Sequence, residues 1–264
     1  MSQFAKVTEL RAAGPERFEC EIPDGWQQGK GAFGGVTLGI LVRALMRNEP
    51  DKARKLRALN ADLCAVAMPG PAEVQLQVLR RGGSVSFVEA RLVQGGKLIT
   101  RATATLGAPR PALAAPYPPA APAPKPWADV PVAMLRPPFA PVFTQWFEYR
   151  SMGPMPFSSH HEPLVEGWIR EAGVRGPMDE AFIVGLLDAW FPSFAPMTDT
   201  PRATVTIGYT TQLLVDPSSL PVDEPLFYRG RGVAAADGYL VDSRELYAGS
   251  ELIALNQQTV ALIT

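Results

Sequence analysis

The same order of sequence elements occurs twice in this chain of 264 residues. A nearly all-apolar helical segment at residues 36–47 precedes four strand-like runs, and a second such segment at residues 179–190 precedes four more. A helix that is apolar on almost every side is expected to be buried, and four antiparallel strands can curl around it. Few residues are identical between the two copies, so the repeat is one of pattern.

Alternating apolar and polar residues mark the predicted strands. The alternation is clearest in Val74-Gln75-Leu76-Gln77-Val78, and Gly95-Gly96 predicts a tight hairpin between two strands. Two further strands are predicted before each helix. The predicted strands of the first copy are residues 4–10, 18–22, 57–67, 73–81, 85–93 and 98–106. Those of the second copy are residues 143–149, 166–171, 204–215, 226–234, 239–247 and 251–263.

A proline-rich segment at residues 109–141 separates the two copies. Proline has no backbone N–H and restricts the residue before it, so an extended segment is predicted. A disordered tether is the alternative, but several large apolar side chains favour a connector anchored to a surface. These side chains are Tyr117, Trp127, Met134, Leu135 and Phe139. The predicted organisation is therefore an N-terminal unit at 1–108, a connector at 109–141 and a C-terminal unit at 142–264.

Charge and apolar patterning argue against several kinds of partner. The chain has 25 Lys and Arg against 26 Asp and Glu, which gives no basic face for nucleic acid. The longest apolar run, residues 36–46, is interrupted by Arg43 and is shorter than the roughly 20 residues that span a bilayer. The first residues lack a signal-peptide pattern, and the two cysteines, Cys20 and Cys64, fit reduced, buried thiols. We therefore expect a cytoplasmic protein with no membrane span.

Two motifs resemble one known family. Trp26, the run Gly31-Ala32-Phe33-Gly34-Gly35-Val36-Thr37-Leu38 and Arg43-Ala44 resemble the signature of the thioesterase-like, double-hotdog proteins, which include type II acyl-CoA thioesterases. The run Leu252-Ile253-Ala254-Leu255-Asn256-Gln257-Gln258 resembles the final strand of that family. The resemblance implies an α+β double hotdog, in which two antiparallel sheets each wrap a long central helix and join into one continuous sheet. It also implies an acyl-CoA substrate and a homodimer.

A single carboxylate, Asp188, lies within the second apolar segment. Burying an unpaired charge is costly, so this group needs partners or a raised pKa. An aspartate that caps or pairs locally is the alternative. The matching position of the first helix is the apolar Val42. The resemblance implies that Asp188 holds and activates a water molecule together with a threonine and a glutamine.

The threonine of that set matches Thr206. Thr204 lies on the same strand face, so it is the second candidate for this role and is expected to contact substrate. Ordinary strand residues on a solvent face are the alternative. Bacterial members of the family often carry Asp-His after Thr-Ile, whereas this chain has Gly208-Tyr209.

The glutamine of the set matches Gln258, while Gln257 points to the opposite face of the strand. A side-chain amide both donates and accepts hydrogen bonds, which suits the positioning of water. A surface glutamine on a terminal strand is the alternative.

Gly34 and Gly35 at the start of the first helix are expected to admit substrate close to backbone N–H groups that stabilise an oxyanion. A flexible helix entry is the alternative. The adjacent His160 and His161 are expected to point apart, so no metal site is predicted. No dinucleotide or Walker motif is present in the sequence, and no cofactor is expected.

Two functions follow from these residues and from the resemblance. The first is hydrolysis of a fatty or aryl acyl-CoA thioester through a water molecule held by Asp188, Thr206 and Gln258. The second is a non-catalytic hotdog protein that binds acyl-CoA or lipid. Convergence of the three side chains on one site would favour the first.

Overall fold

One antiparallel sheet of twelve strands runs through the computed structural model, which describes residues 1–111, 121–138, 140–176 and 178–263. The helices are α1 (Gln3–Val7), α2 (Gly34–Asn48) and α3 (Glu180–Leu187). The first half contains β1 (Arg11–Ala12), β2 (Arg17–Ile22), β3 (Gln27–Gln28), β4 (Gly31–Ala32), β5 (Lys55–Leu63), β6 (Gly70–Arg81), β7 (Val85–Gln94) and β8 (Lys97–Gly107). The second half contains β9 (Phe147–Ser151), β10 (Leu164–Glu171), β11 (Thr204–Leu213), β12 (Leu226–Ala236), β13 (Tyr239–Ala248) and β14 (Glu251–Leu262).

The strand order of the sheet repeats from one half to the other. The first half has the order β1-β2-β6-β7-β8-β5, and the second half has the corresponding order β9-β10-β12-β13-β14-β11. The halves join where β5 pairs antiparallel with β11, with Asn60 opposite Thr210. The short strands β3 and β4 form a separate pair. The predicted α+β class with a large antiparallel sheet is confirmed, whereas the unit boundaries stay predictions.

The helices α2 and α3 pack against each other, and α2 also packs on β5 to β8. Glycines permit the close approach of the two helices. A Cβ atom at Gly35 would lie 2.6 Å from the carbonyl oxygen of Gly185, which is closer than side chains can pack. The helix predicted at residues 179–190 corresponds to α3, which is shorter: it ends at Leu187, with Asp188 as its C-cap. Pro192 follows shortly afterwards and cannot continue a helix.

The N-terminal residues form a helix, so the predicted strand at residues 4–10 is wrong. The side chain of Ser2 caps α1, and the buried N–H of Phe4 donates to Glu171 Oε1 at 2.7 Å. The Phe4 ring is fully buried and packs against Gly39 and Gly185. The serine N-cap was the sequence signal for this helix. Docking of Phe4 stabilises a helix too short to form alone.

Within the proline-rich segment, residues 121–138 are anchored to the second half of the chain through Trp127. The guanidinium groups of Arg150 and Arg170 lie 4.2 and 4.4 Å from the centroid of the Trp127 ring. Leu135 packs partly against the core, whereas Met134 is 76% exposed, so its predicted anchoring role is wrong. Tyr117 and Phe139 lie outside the described residues.

The start of the predicted strand at residues 143–149 is a short 3-10 helix, Val142–Trp146, and β9 begins at Phe147. Trp146 stacks on Trp26 with ring centroids 5.6 Å apart. This stack joins the second half of the chain to the segment that leads into α2. The 3-10 helix packs through this stack and not with the alternating burial of a strand.

Burial of the two cysteines differs from expectation. Cys20 is half-buried, and burial raises the pKa of its thiol to about 12. Cys64 follows the end of β5 and is exposed, so its predicted burial is wrong. Within the described ranges, no helix is both long and apolar enough to cross a bilayer.

Candidate active site

Asp188 lies where α3 ends against the beginning of α2. The residue is only 8% exposed. A Cβ atom at Gly34 would lie 2.7 Å from Asp188 Oδ2, so the glycine leaves room for the carboxylate. The N-cap residue of α2, Phe33, supplies no side-chain hydrogen bond within the described residues. Asp188 therefore brings a negative charge from the second half of the chain to the positive end of a helix in the first half.

The three predicted side chains form one hydrogen-bonded series. Thr206 Oγ1 donates to Gln258 Oε1 at 3.0 Å, and Gln258 Nε2 donates to Asp188 Oδ1 at 3.0 Å. The same amide nitrogen donates to Asn256 Oδ1 at 3.1 Å. Gln258 is fully buried, so it is not a surface glutamine. Elements β11, β14 and α3 thus bring the three side chains to one place.

An irregularity in β11 directs Thr206 toward this series. The pairing of β11 with β14 shifts register between Thr206 and Gly208. Beyond this bulge the buried side chains are at odd positions, beginning with Tyr209, and strict alternation would have turned Thr206 to the other face. Glycine within a strand is a typical sign of a bulge. The departure from the family pattern at Gly208-Tyr209 therefore has a structural role, and Tyr209 Oη donates to Val184 O at 2.8 Å.

Two buried charged residues near Asp188 were missed in the sequence. Arg244 is 2% exposed and Asp242 is fully buried, both on β13. Arg244 Nη2 lies 3.2 Å from Asp242 Oδ2, and Nη1 lies 3.9 Å from Asp188 Oδ1. The flanking Leu240 and Leu246 lie on the same strand face. Charged residues at alternate positions between buried leucines were the signal that could have located them.

The environment of Asp188 sets its ionisation. Burial raises its pKa to about 6, against the opposing effects of Arg244, the Gln258 amide and the Gly35 N–H, which favour the charged form. The carboxyl group is therefore mostly ionised at neutral pH but exchanges its proton in a range useful for acid–base chemistry.

The other residues singled out in the sequence lie outside the hydrogen-bonded series of Asp188, Gln258 and Thr206. Gly34 borders Asp188, and the N–H of Gly35 faces the carboxylate instead of an open space. Thr204 lies opposite Leu262 near the strand end, and in the described part of the chain its side chain makes no hydrogen bond. The rings of His160 and His161 lie 4.5 Å apart, so the expectation that they point apart is wrong. Among the described residues, no three metal-ligating side chains come together.

The continuous sheet, the paired helices and the buried Asp188 series define a protein of the hotdog class. A family model for the acyl-CoA thioesterase N-terminal domain matches residues 22–107, and one for the C-terminal domain matches residues 115–262. The chain belongs to this acyl-CoA thioesterase family, and its activity is that of a thioester hydrolase. A comparison with curated proteins found no match.

Solved structures share this fold across the whole chain. A conserved hotdog protein of unknown function from Alicyclobacillus acidocaldarius is 23% identical, with a TM-score of 0.91 and coverage of 100% of this chain and 99% of that one. A proposed thioesterase II from Thermobifida fusca is 22% identical, with a TM-score of 0.86 and coverage of 100% and 98%. The acyl-CoA thioesterase II TesB2 from Mycobacterium marinum is 16% identical, with a TM-score of 0.77 and coverage of 98% of both chains.

Proposed function

We propose that this thioesterase hydrolyses a fatty or aryl acyl-CoA and that Asp188, Thr206 and Gln258 hold and activate the attacking water. The observation that carries the proposal is the buried Asp188 carboxylate, connected to Thr206 through the Gln258 amide. Such a carboxylate is costly to bury, and a buried carboxylate with a raised pKa beside specific partners is typical of a functional site.

Asp188 acts as the general base. Its Oδ1 accepts from Gln258, which leaves Oδ2, beside the side-chain-free Gly34, to accept a proton from water. The water oxygen bonds to the thioester carbonyl carbon while its proton passes to Asp188. The tetrahedral intermediate then expels the CoA sulfur, the C–S bond breaks, and the thiolate takes the proton back from Asp188. A base with a pKa of about 6 is ionised at neutral pH and still returns its proton readily.

Gln258 and Thr206 have different tasks in this scheme. Both amide hydrogens of Gln258 are directed to carboxylate or amide oxygens, and its own oxygen accepts from Thr206. Because both donors of Gln258 are already engaged, Gln258 holds the Asp188 carboxylate in place and donates no hydrogen bond to the water. The Thr206 oxygen keeps its lone pairs for a hydrogen bond from the water. Two oxygens, one from Asp188 and one from Thr206, then orient the nucleophile.

The beginning of α2 is proposed to favour the developing oxyanion. The helix dipole and free N–H groups at a helix N-terminus stabilise negative charge. Gly34 would allow the substrate carbonyl to approach, whereas the Gly35 N–H faces Asp188 and serves the base. Contact of Thr204 with substrate stays a prediction.

The test is thiol release from a panel of saturated fatty and aryl acyl-CoA thioesters. The wild-type protein is expected to release thiol from at least one, and Asp188→Asn is expected to lose at least about 100-fold in kcat. The control is Asp237→Asn, which changes the same chemical group in an exposed turn whose φ of 53° asparagine tolerates. Equal rates for the wild type and Asp188→Asn would contradict the mechanism. Absence of release from every thioester would favour the non-catalytic acyl-CoA or lipid-binding alternative.

The homodimer and the cytoplasmic location stay predictions. Sedimentation equilibrium of the purified protein would check the first, with twice the chain mass expected. Fractionation of cells that express the full chain would check the second.

A further inference from the structure

Arg244 and Asp242 form a buried ion pair on the core-facing side of β13. The side chains are 2% and 0% exposed, and the facing atoms lie 3.2 Å apart. Asp242 Oδ2 also accepts from the N–H of Ser193 at 3.0 Å. Replacement of a buried ion pair by apolar residues is often neutral or stabilising, so stability alone is a weak reason for such a pair. The contacts of Arg244 beyond Asp242 indicate another reason.

Arg244 contacts Asp188 in two ways. Its Nη1 donates to the carbonyl oxygen of Leu187 at 3.0 Å. This carbonyl belongs to the peptide group that directly precedes Asp188. The same nitrogen lies 3.9 Å from Asp188 Oδ1. One guanidinium group therefore holds the backbone that carries the carboxylate and also faces its charge. The planar fork of arginine suits this double contact.

The other groups around Asp188 leave Arg244 as the cation that balances it within the described residues. Burial raises the pKa of Tyr209 and of Tyr228 above the ordinary value of 10, so both phenols stay neutral. The groups that face Asp188 are Arg244 from β13, Tyr228 from β12, Tyr209 from β11, Gln258 from β14 and the Gly35 N–H from α2, and Asp242 is paired with the same Arg244. The charge balance thus involves two carboxylates and one guanidinium, and Asp242 and Asp188 compete for the same cation.

We propose that Arg244 is a positioning residue that keeps Asp188 in its charged, water-activating form and that Asp242 limits this effect by sharing the cation. This inference rests on the proposed function of Asp188. The pair would then set the lower pH limit of thioester hydrolysis. Arg244 itself touches neither water nor substrate in this role.

The two partners of the pair are expected to shift the ionisation of Asp188 in opposite directions. Asp242→Asn leaves Arg244 to Asp188 alone, so the acid limb of kcat/KM should move to lower pH by about half a unit or more. The double variant Asp242→Asn with Arg244→Met removes the cation without leaving an unpaired buried carboxylate at 242, so the limb should move to higher pH by about one unit or more. At a pH one unit below the wild-type limb, that second shift corresponds to a loss of nearly tenfold in kcat/KM.

The experiment measures pH profiles of thiol release together with the titration of the Asp188 carboxyl carbon by NMR in protein labelled with 13C-aspartate. Asp188→Asn assigns the signal. Arg229→Met is the matched control, since Arg229 pairs with Glu245 on β13 and lies away from Asp188. Opposite shifts in the two Asp242 variants and an unchanged profile in the control are the expected result, which a purely structural pair would not give.

Identical titrations of Asp188 in the wild type and both Asp242 variants would overturn the inference. The NMR titration needs no substrate, so it still decides the role of Arg244 if the wild type releases no thiol. In that case the proposed function fails, whereas unchanged titration with active wild-type protein means that only this inference fails.

Discussion

Replacing Asp188 with asparagine is expected to stabilise the fold at pH 8 relative to pH 4, although it removes the proposed base. The pKa of Asp188 rises from the ordinary value of 3.8 to about 6, chiefly through burial. A carboxyl group whose folded pKa is raised makes the ionised folded state less stable. Below the unfolded pKa the group is neutral in both states and has no effect. Above the folded pKa it is charged in both, and the destabilisation is complete.

The size of this effect follows from the shift. One pKa unit corresponds to 1.4 kcal/mol, so two units give about 3 kcal/mol. The difference in the free energy of unfolding, Asp188→Asn minus wild type, should therefore increase by about 2.5 kcal/mol between pH 4 and pH 8, because pH 4 already lies just above the unfolded pKa of 3.8. Asparagine also presents an N–H group to the Gly35 N–H, but that mismatch does not depend on pH and cancels in the comparison.

Urea denaturation of both proteins at intervals across this range measures the difference. Asp237→Asn, in the exposed turn between β12 and β13, should show a difference that stays within about 0.5 kcal/mol of a constant value. A flat difference for Asp188→Asn would refute the argument, because it would mean that Asp188 has the same pKa in the folded and unfolded states.

Other expected outcomes test individual contacts. Thr206→Val keeps the shape of the side chain and should lower kcat about tenfold or more with little change in folding, as measured by thiol release and thermal unfolding. Gly34→Ala would place a methyl group 2.7 Å from Asp188 Oδ2 and should destabilise the protein by about 1–3 kcal/mol with loss of activity. Gly83→Ala, where a methyl group would meet no described residue within 4 Å apart from its chain neighbours, should change neither. Trp127→Ala removes the ring between two guanidinium groups and should speed proteolysis within residues 121–138 at unchanged kcat, as followed by mass spectrometry of the fragments.

The repeated elements were predictable because burial imposes a period on the sequence. The apolar helices and the alternating strands appear in the predicted order, and strand order in the sheet repeats as the pattern indicates. Residues 4–10 were not predictable as a helix from periodicity, since α1 has only five residues. Its position depends on the contact of Phe4 with glycines far along the chain.

The site was partly predictable. Asp188 stood out as a single charge in an apolar segment, and the resemblance supplied Thr206 and Gln258. The face on which Thr206 lies depends on the bulge at Gly208, which a simple alternation does not include. Arg244 was missed because a charged side chain in a strand usually faces solvent, and its burial depends on partners from α3 and its own strand that meet only in the folded protein.

The measurement that tests the central claim most directly is the pH dependence of kcat/KM for thiol release from a cleaved acyl-CoA, for wild type and Asp188→Asn. The account predicts a wild-type rate that rises with pH through a single acid limb at about 6 and then levels off, because the ionised Asp188 is the base. It predicts that Asp188→Asn lacks this limb and is at least about 100-fold slower on the plateau. An Asp188→Asn protein with the same limb and the same plateau would contradict the account.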